Sequence, residues 1–322
     1  MRAIVCKEGG PPEKLVIEEL PDPEAGPGQL LILIEATSIV FPDTLVIENK
    51  YQFPEKTPFV PGSDFVGEVI GIGEGVQGFA IGDRVGAGGP GGFAELAAVD
   101  ARRVGPIPKG VSPAQATGLM YGLGTCHYGL KNRGELKEGE TLLVLGASGH
   151  LGIGAIAVGK LLGARVIAAA SSEEKLALCR DAGADETINY STEDLKQRTK
   201  DLTDGQGADV IFDGVGGDYA EVALRAIAWR GRFLVIGFPA GIPKIPLNLA
   251  LLKSCQIVGV FLGAATKREP DSLQETRREL FELVASGRLE VPISRSYKLD
   301  EIPRALRDLL DRKVVGKIVY EP

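Results

Sequence analysis

Three glycines spaced three apart, Gly146, Gly149 and Gly152, lie in the segment TLLVLGASGHLG at 141–152. Bare backbone at such spacing lets main-chain N–H groups approach a pyrophosphate at a helix N-terminus. Gly146 would allow a sharp turn out of a strand. Gly149 would let the phosphates come close, and Gly152 would let the helix pack on the strand. The amides around Ser148, His150 and Leu151 are the expected donors. Glycine runs also serve as plain turns, so the flanking residues must decide. Leu142–Leu145 is a short apolar run of the kind a buried parallel strand needs. Ile153–Leu162 carries small and apolar residues at helical spacing, and Gly163 stops it. Arg165–Ala170 is a second apolar run. Strand, helix and strand make one βαβ unit around the glycines.

The end of the second strand bears on which dinucleotide fits. Folds that take NAD place an acid there to hold the ribose 2′-OH. Here the strand ends Ala168-Ala169-Ala170-Ser171-Ser172, with no acid at the tip, and Lys175 follows within one helical turn. Ser171 and Lys175 offer a donor and a cation to a 2′-phosphate. NADPH is therefore expected over NADH, by about 10- to 100-fold if one charged hydrogen bond contributes ~1.5–3 kcal/mol. Ser171 and Glu174 also fit a capping box, which needs no ligand. Glu173 and Glu174 would oppose a phosphate if they turned inward.

The chain has 322 residues, 44% hydrophobic and 25% charged, with a formal net charge of −7. It carries no basic run, which argues against nucleic acid as a partner. No apolar stretch is of membrane-spanning length, and the N-terminus lacks a signal-peptide core. The four cysteines (Cys6, Cys126, Cys179 and Cys255) are scattered singly and have no zinc-type spacing. A reducing, cytoplasmic location is the simplest expectation.

The elements that must position these residues follow two rhythms. The first part reads as short strands broken by Gly and Pro, at Ala3–Cys6, Leu15–Glu19, Gln29–Ala36, Phe65–Ile70 and Arg84–Ala87, which suggests a barrel-like β domain. Near Gly118 the pattern changes to alternating strand and helix. Strands are expected at Thr141–Leu145, Arg165–Ala170, Glu186–Ile188, Asp209–Phe212, Phe233–Gly237 and Gln256–Phe261, enough for a doubly wound parallel sheet. Helices around Gln274–Ser286 and Glu301–Asp311 precede a last strand, Lys317–Tyr320, which should rejoin the β domain. Gln256–Phe261 would be an apolar edge, and pairing two such edges across a two-fold axis would make a homodimer.

The block Pro61–Val85 (PGSDFVGEVIGIGEGVQGFAIGDRV) resembles the signature hairpin of the medium-chain dehydrogenase/reductase superfamily, and specifically its zinc-free quinone oxidoreductase, zeta-crystallin-like branch. The glycine loop, DGVGG at 213–217, NY at 189–190, VIGF at 235–238 and GKIVY at 316–320 are similar to that branch in the same order. The resemblance implies an α/β fold, with a doubly wound parallel Rossmann sheet at 122–261 and a GroES-like β-barrel-type domain built from 1–121 and 262–322. Zinc-dependent members carry Gly-His-Glu where this chain has Gly62-Ser63-Asp64, and a cysteine near Val40. Neither Ser63 nor Val40 is a usual zinc ligand, so no metal is expected. His127 reads as a structural histidine, and Asp43 and Asp64 as buried carboxylates that accept backbone N–H groups.

The resemblance implies site residues as well. Tyr51 matches a cleft tyrosine of quinone reductases and the proton-donating tyrosine of enoyl-thioester reductases, although a packing role also fits it. Val40, where many quinone reductases have Asn, would line an apolar substrate pocket with Phe41 and Tyr51. Thr125 matches a threonine at the nicotinamide amide, and helix capping is its alternative. Tyr190 would add to the adenosine-phosphate site, Val215 and Gly216 would wall the adenine-ribose channel, and Phe238 and Gly263 would touch the nicotinamide. Lys317 would be a further coenzyme contact or a solvated lysine. Without zinc to hold an alkoxide, hydride delivery to a conjugated acceptor is easier, because the charge spreads onto an oxygen that donors can stabilise. The expected activity is NADPH-dependent reduction of a quinone or α,β-unsaturated carbonyl. The alternatives are enoyl-thioester (enoyl-CoA/ACP) reduction and a non-enzymatic NADPH-binding sensor.

Overall fold

The structure is a computed structural model that describes residues 1–290 and 292–322. The chain divides into two compact units, Met1–Met120 with Pro292–Pro322, and Tyr121–Val291.

The second unit is built on six parallel strands. Across the sheet they run Glu186–Asn189, Arg165–Ala170, Thr141–Leu145, Ala208–Asp213, Ile227–Val235 and Gln256–Gly259. Numbered along the chain, that order is third, second, first, fourth, fifth, sixth, the doubly wound Rossmann arrangement. The central strands are buried on both faces: Leu142, Leu143, Val144, Val166, Ile167 and Ala168 are all fully buried. This is why they read as continuous apolar runs rather than alternating ones. The sequence order reverses between Thr141–Leu145 and Ala208–Asp213, and the crevice at their carboxyl ends is where such sheets place a ligand.

The first unit is antiparallel in the main. Its backbone is the ten-residue strand Gln29–Ser38. Asp64–Ile72 runs along one edge, Leu96–Asp100 pairs with its first half, and Lys317–Tyr320 joins its last residues. The C-terminal strand thus returns to the β unit, as expected from its apolar KIVY run. Ile293–Tyr297, which the sequence pattern did not reveal, pairs parallel to it. Buried Ile32, Ile34, Phe65, Val69, Val85 and Tyr320 form the core.

Several boundaries differ from the sequence expectation, and the fifth parallel strand runs Ile227–Val235 rather than Phe233–Gly237. The sixth parallel strand ends at Gly259 rather than Phe261, and residues 262–290 belong to the second unit rather than to the β unit. The helices Leu262–Arg268 and Pro270–Ala285 are tied there by polar contacts. Tyr128 Oη donates to Glu269 at 2.9 Å, Lys131 Nζ pairs with Glu279 at 2.6 Å, and His127 Nε2 lies 2.9 Å from the same carboxylate. Amphipathic spacing marked one of these helices but could not say which unit its face would cover.

Candidate functional site

The glycine loop sits at the reversal point of the parallel sheet. Thr141–Leu145 feeds directly into Gly146, whose φ is +64°, a conformation that favours glycine. A Cβ there would also lie 2.7 Å from Val215 Cγ2. The turn closes through Gly149 N–H donating to Gly146 O at 3.0 Å. Helix His150–Leu161 begins at once, with Gly149 as a cap that has no side chain to satisfy the first-turn N–H groups. These groups have no partner inside the helix, so the loop leaves donors and a positive dipole end in place. A Cβ on Gly152 would stand 2.4 Å from Gly146 O, so the helix start needs glycine to pack. Gly149 differs. Its φ is −79°, and a Cβ would meet only Gly146 O at 3.4 Å. The protein's own packing does not demand glycine there, whereas an anion lying over the loop would.

The His150 imidazole is directed at Gly122, where a Cβ would come 2.1 Å from Nε2. Its part in the loop is therefore its main chain. Beneath the loop, buried Cys126 donates its thiol to Leu151 O at 3.2 Å.

Ser171 and Lys175 meet at the carboxyl end of the second strand, Nζ donating to Oγ at 3.3 Å. The capping role expected of Ser171 belongs to Ser172, which accepts from Lys175 N at 3.4 Å, because the helix starts one residue later, at Glu173. Glu173 is paired with Arg180, so it does not oppose an anion at Ser171. Ser191 Oγ donates to Ser171 O at 2.9 Å, and the neighbouring Tyr190 ring packs at a tilt against Tyr219 with centroids 4.7 Å apart.

The loop after the fourth strand is organised by Asp213, which sequence reasoning missed as a positioning residue. Its buried Oδ1 accepts from Val215 N and Gly216 N, both at 2.9 Å. Burial pushes its carboxyl above the usual range, and these two N–H donors oppose that shift. An Asp closing a strand directly before Gly-x-Gly was the available signal. Gly216 has φ +71°, and a Cβ would strike Gly241 O at 2.7 Å and the Phe238 ring at 3.1 Å. Gly146, Val215, Gly216 and Phe238 are thus one packed group. Gly263 lies in the first turn of the helix after the sixth strand, and its carbonyl accepts from Thr266 Oγ1. Thr125 donates back to the Tyr121 carbonyl within its own helix.

Val40, Phe41 and Tyr51 all belong to the first unit. Asp43, 1% exposed, caps the helix Phe41–Ile47 by accepting from Val40 N at 2.9 Å, and its other oxygen accepts from Ser63 Oγ at 3.0 Å. Burial pushes its carboxyl up to about 7, with the charge of Asp64 adding to the shift and the Val40 and Ser63 donors opposing it. The Tyr51 phenol is raised by burial and by the negative charge of Asp43, which places the two in one electrostatic neighbourhood. Tyr51 also packs edge-on against Phe53.

Lys317 is not presented to a ligand. It is 2% exposed, and its Nζ donates to Ala114 O at 2.7 Å, Gln115 O at 3.1 Å and Thr117 O. Three carbonyls use all three ammonium protons, so Lys317 ties down the end of helix Pro113–Ala116. Burial lowers it to about 8, and the Asp64 charge works against that. Asp64 accepts from Gly118 N at 2.9 Å, the structural role expected of it.

The parallel sheet with its glycine crossover, joined to an antiparallel unit that takes back the C-terminus, defines the medium-chain dehydrogenase/reductase class. Comparison narrows this. The alcohol dehydrogenase GroES-like domain family matches residues 26–109, and the zinc-binding dehydrogenase family matches residues 151–285. A quinone oxidoreductase-like protein 2 homolog of Nematostella vectensis is 39% identical over 324 residues, 99% of this chain and 88% of that protein. The quinone oxidoreductase of Pseudomonas aeruginosa is 35% identical, covering 97% of each chain. The crystal structure of Escherichia coli quinone oxidoreductase complexed with NADPH superposes with a TM-score of 0.92 at 29% identity, over the full length of both chains. The chain belongs to the quinone oxidoreductase branch of the medium-chain dehydrogenase/reductase superfamily.

Proposed function

We propose that this protein is an NADPH-dependent reductase of quinones or α,β-unsaturated carbonyls that works without zinc. The observation that carries the coenzyme choice is the Ser171–Lys175 contact at 3.3 Å, with Ser172 taking over the helix cap. The residues fit NADPH: Ser148, His150, Leu151 and Gly152 hold the diphosphate through main-chain N–H groups, and Gly149, whose own N–H closes the turn, leaves the approach open. Ser171, Lys175 and Tyr190 hold the 2′-phosphate. Val215 and Gly216 wall the ribose, with Phe238, Gly263 and Thr125 at the nicotinamide end. When bound, the coenzyme supplies a hydride. Tyr51 donates a hydrogen bond to the oxygen on which negative charge collects, and Val40 and Phe41 give that acceptor an apolar wall. The raised pKa of Tyr51 keeps its proton in place at neutral pH.

Zinc independence rests on the donor set. Val40 has no ligating atom, and the Ser63 hydroxyl already donates to Asp43. Hydrogen-bond donors are enough for a quinol or enolate oxygen but poorly suited to a simple alkoxide. The same geometry favours a homodimer formed by a second copy on the sheet edge. Gln256–Gly259 is the terminal strand, and Leu247, Leu251 and Leu252 beside it are 75%, 79% and 65% exposed. Leu251→Lys with Leu252→Lys should give a monomer by sedimentation at micromolar concentration.

The coenzyme reading is tested by NADPH and NADH kinetics with 9,10-phenanthrenequinone, a simple enone and crotonyl-CoA. Wild type should prefer NADPH by about 10- to 100-fold, and Lys175→Ala should erase most of that preference. Equal use of both coenzymes by wild type would refute it. Turnover of crotonyl-CoA alone would move the substrate assignment to enoyl thioesters.

A further inference from the structure

The reductase reading leaves one chemical need open. An acceptor that takes a hydride becomes an anion, and one proton must reach it. Two acids of the first unit, Tyr51 and Asp43, share one electrostatic neighbourhood. The Tyr51 phenol is held above its ordinary value, so it donates a hydrogen bond but releases its proton reluctantly. The Asp43 carboxyl is buried and keeps three donors around it: the Val40 N–H, the Ser63 N–H and the Ser63 hydroxyl. Of these, only the hydroxyl can pass a proton onward. Ser63 is half-buried, whereas Asp43 is sealed from solvent.

We propose that Ser63 and Asp43 form a two-residue relay that delivers the proton to the reduced substrate, Ser63 touching the substrate and Asp43 acting behind it. The inference rests on the reductase reading. Asp43 suits the task energetically. An acid near pKa 7 loses its proton readily to a phenolate-like anion, whose conjugate acid sits near the tyrosine value of ~10. With Asp43 protonated, its O–H donates to Ser63 Oγ and the serine hydrogen is free to turn outward. The Ser63 O–H bond then breaks as the anion gains that hydrogen. The Asp43 O–H breaks as Ser63 Oγ–H re-forms. Asp43 is left as a carboxylate and regains its proton from water along the same path once the product leaves. No electrons move in these steps, because the hydride has already carried both.

The backbone fixes Ser63 for this. Gly62 has φ +91°, and a Cβ would collide with Phe93 N at 2.7 Å, so the turn before Ser63 requires glycine. Gly89 N–H donates to Ser63 O at 3.0 Å. The titratable groups that act on or respond to Asp43 are the Asp64 carboxylate and the neutral Tyr51 phenol, and Lys317 interacts in turn with the charge of Asp64.

The test uses the full chain with NADPH and 9,10-phenanthrenequinone across pH 5.5–9. Wild-type kcat should fall above about pH 7, as Asp43 loses its proton. Ser63→Ala should lower kcat about 100-fold near pH 6.5, remove that descending limb and leave KM within about 3-fold. Ser63→Thr should restore most of the rate. Infrared spectra of the protein alone should show a protonated carboxyl band that titrates near neutrality in wild type and is missing from Asp43→Asn. Unchanged kcat and pH profile in Ser63→Ala, or a band titrating near 4, overturns the relay while the reductase reading stands. Absence of wild-type turnover with quinone and enone overturns the reading, and the relay with it.

Discussion

The glycine loop and the Asp43 cluster are built by opposite means. At the loop, the second unit presents main chain: Gly146, Gly149 and Gly152 strip away side chains and leave N–H groups and a helix end open, the arrangement that suits an anion. At Val40, Asp43, Tyr51 and Ser63, the first unit presents side chains whose chemistry comes from burial and from one another. A backbone site is set by local conformation and tolerates no added atoms. A side-chain site is set by which segments the tertiary fold gathers, and it is tuned by electrostatics. The contrast predicts that substitutions at the loop fail by steric exclusion, and that substitutions at the cluster change pH dependence.

The largest effect should come from Gly152→Ala. The new methyl would overlap Gly146 O and the Ala147 backbone, and neither can move without breaking the turn. A stability loss of about 3 kcal/mol or more, together with loss of NADPH binding by calorimetry, is expected. A normal Tm would break the claim that this glycine is needed for packing.

Next comes Lys317→Met. It leaves three carbonyls and Asp64 without their buried cation and should cost about 3 kcal/mol in urea unfolding. NADPH affinity should stay within about 2-fold. A large loss of affinity without destabilisation would return Lys317 to the coenzyme.

Asp43→Asn probes the cluster's electrostatics. The folded-state pKa of Asp43 lies above its ordinary 3.8, so the folded state holds the proton more tightly than the unfolded chain does. The stabilising contribution is full below about pH 4 and is lost as pH rises through about 7. On raising the pH from 4 to 8, wild type should lose a few kcal/mol from this group that Asp43→Asn does not lose. Parallel pH–stability curves for the two proteins would show that Asp43 is not titrating there.

Gly149→Ala is the gentlest and sharpens the comparison most. Its methyl meets only Gly146 O, at 3.4 Å, so Tm should hardly change. Affinity for NADPH should still fall by about 10-fold or more, because the methyl occupies the phosphate approach. Unchanged affinity would mean that the coenzyme does not lie over Gly149.

How much of this was legible in the sequence divides along the same line. The parallel strands could be read because burial on both faces makes each a continuous apolar run, as in Leu142–Leu145 and Arg165–Ala170. The pairing of Ser171 with Lys175 was legible because one helical turn separates them. The cap was misplaced by one residue, since Ser171 and Ser172 offer the same hydroxyl and only the φ and ψ of the turn choose between them. Lys317 was misassigned because its partners at 114, 115 and 117 lie some two hundred residues away. Ser63 was noticed only as the residue that stands where zinc enzymes have a histidine ligand. Its hydrogen bond to Asp43, twenty residues upstream, had no local signature.

What the sequence determined by itself is whatever depends on neighbours along the chain: the strands, the glycine turn, the donors after the second strand and the family. The tertiary structure alone decided which distant side chains are buried together. Such burial moved Asp43 to about 7, turned Lys317 into an internal clamp and placed residues 262–290 with the parallel sheet. Desolvation and long-range hydrogen bonding depend on the folded surroundings of a group, and no window of sequence contains them.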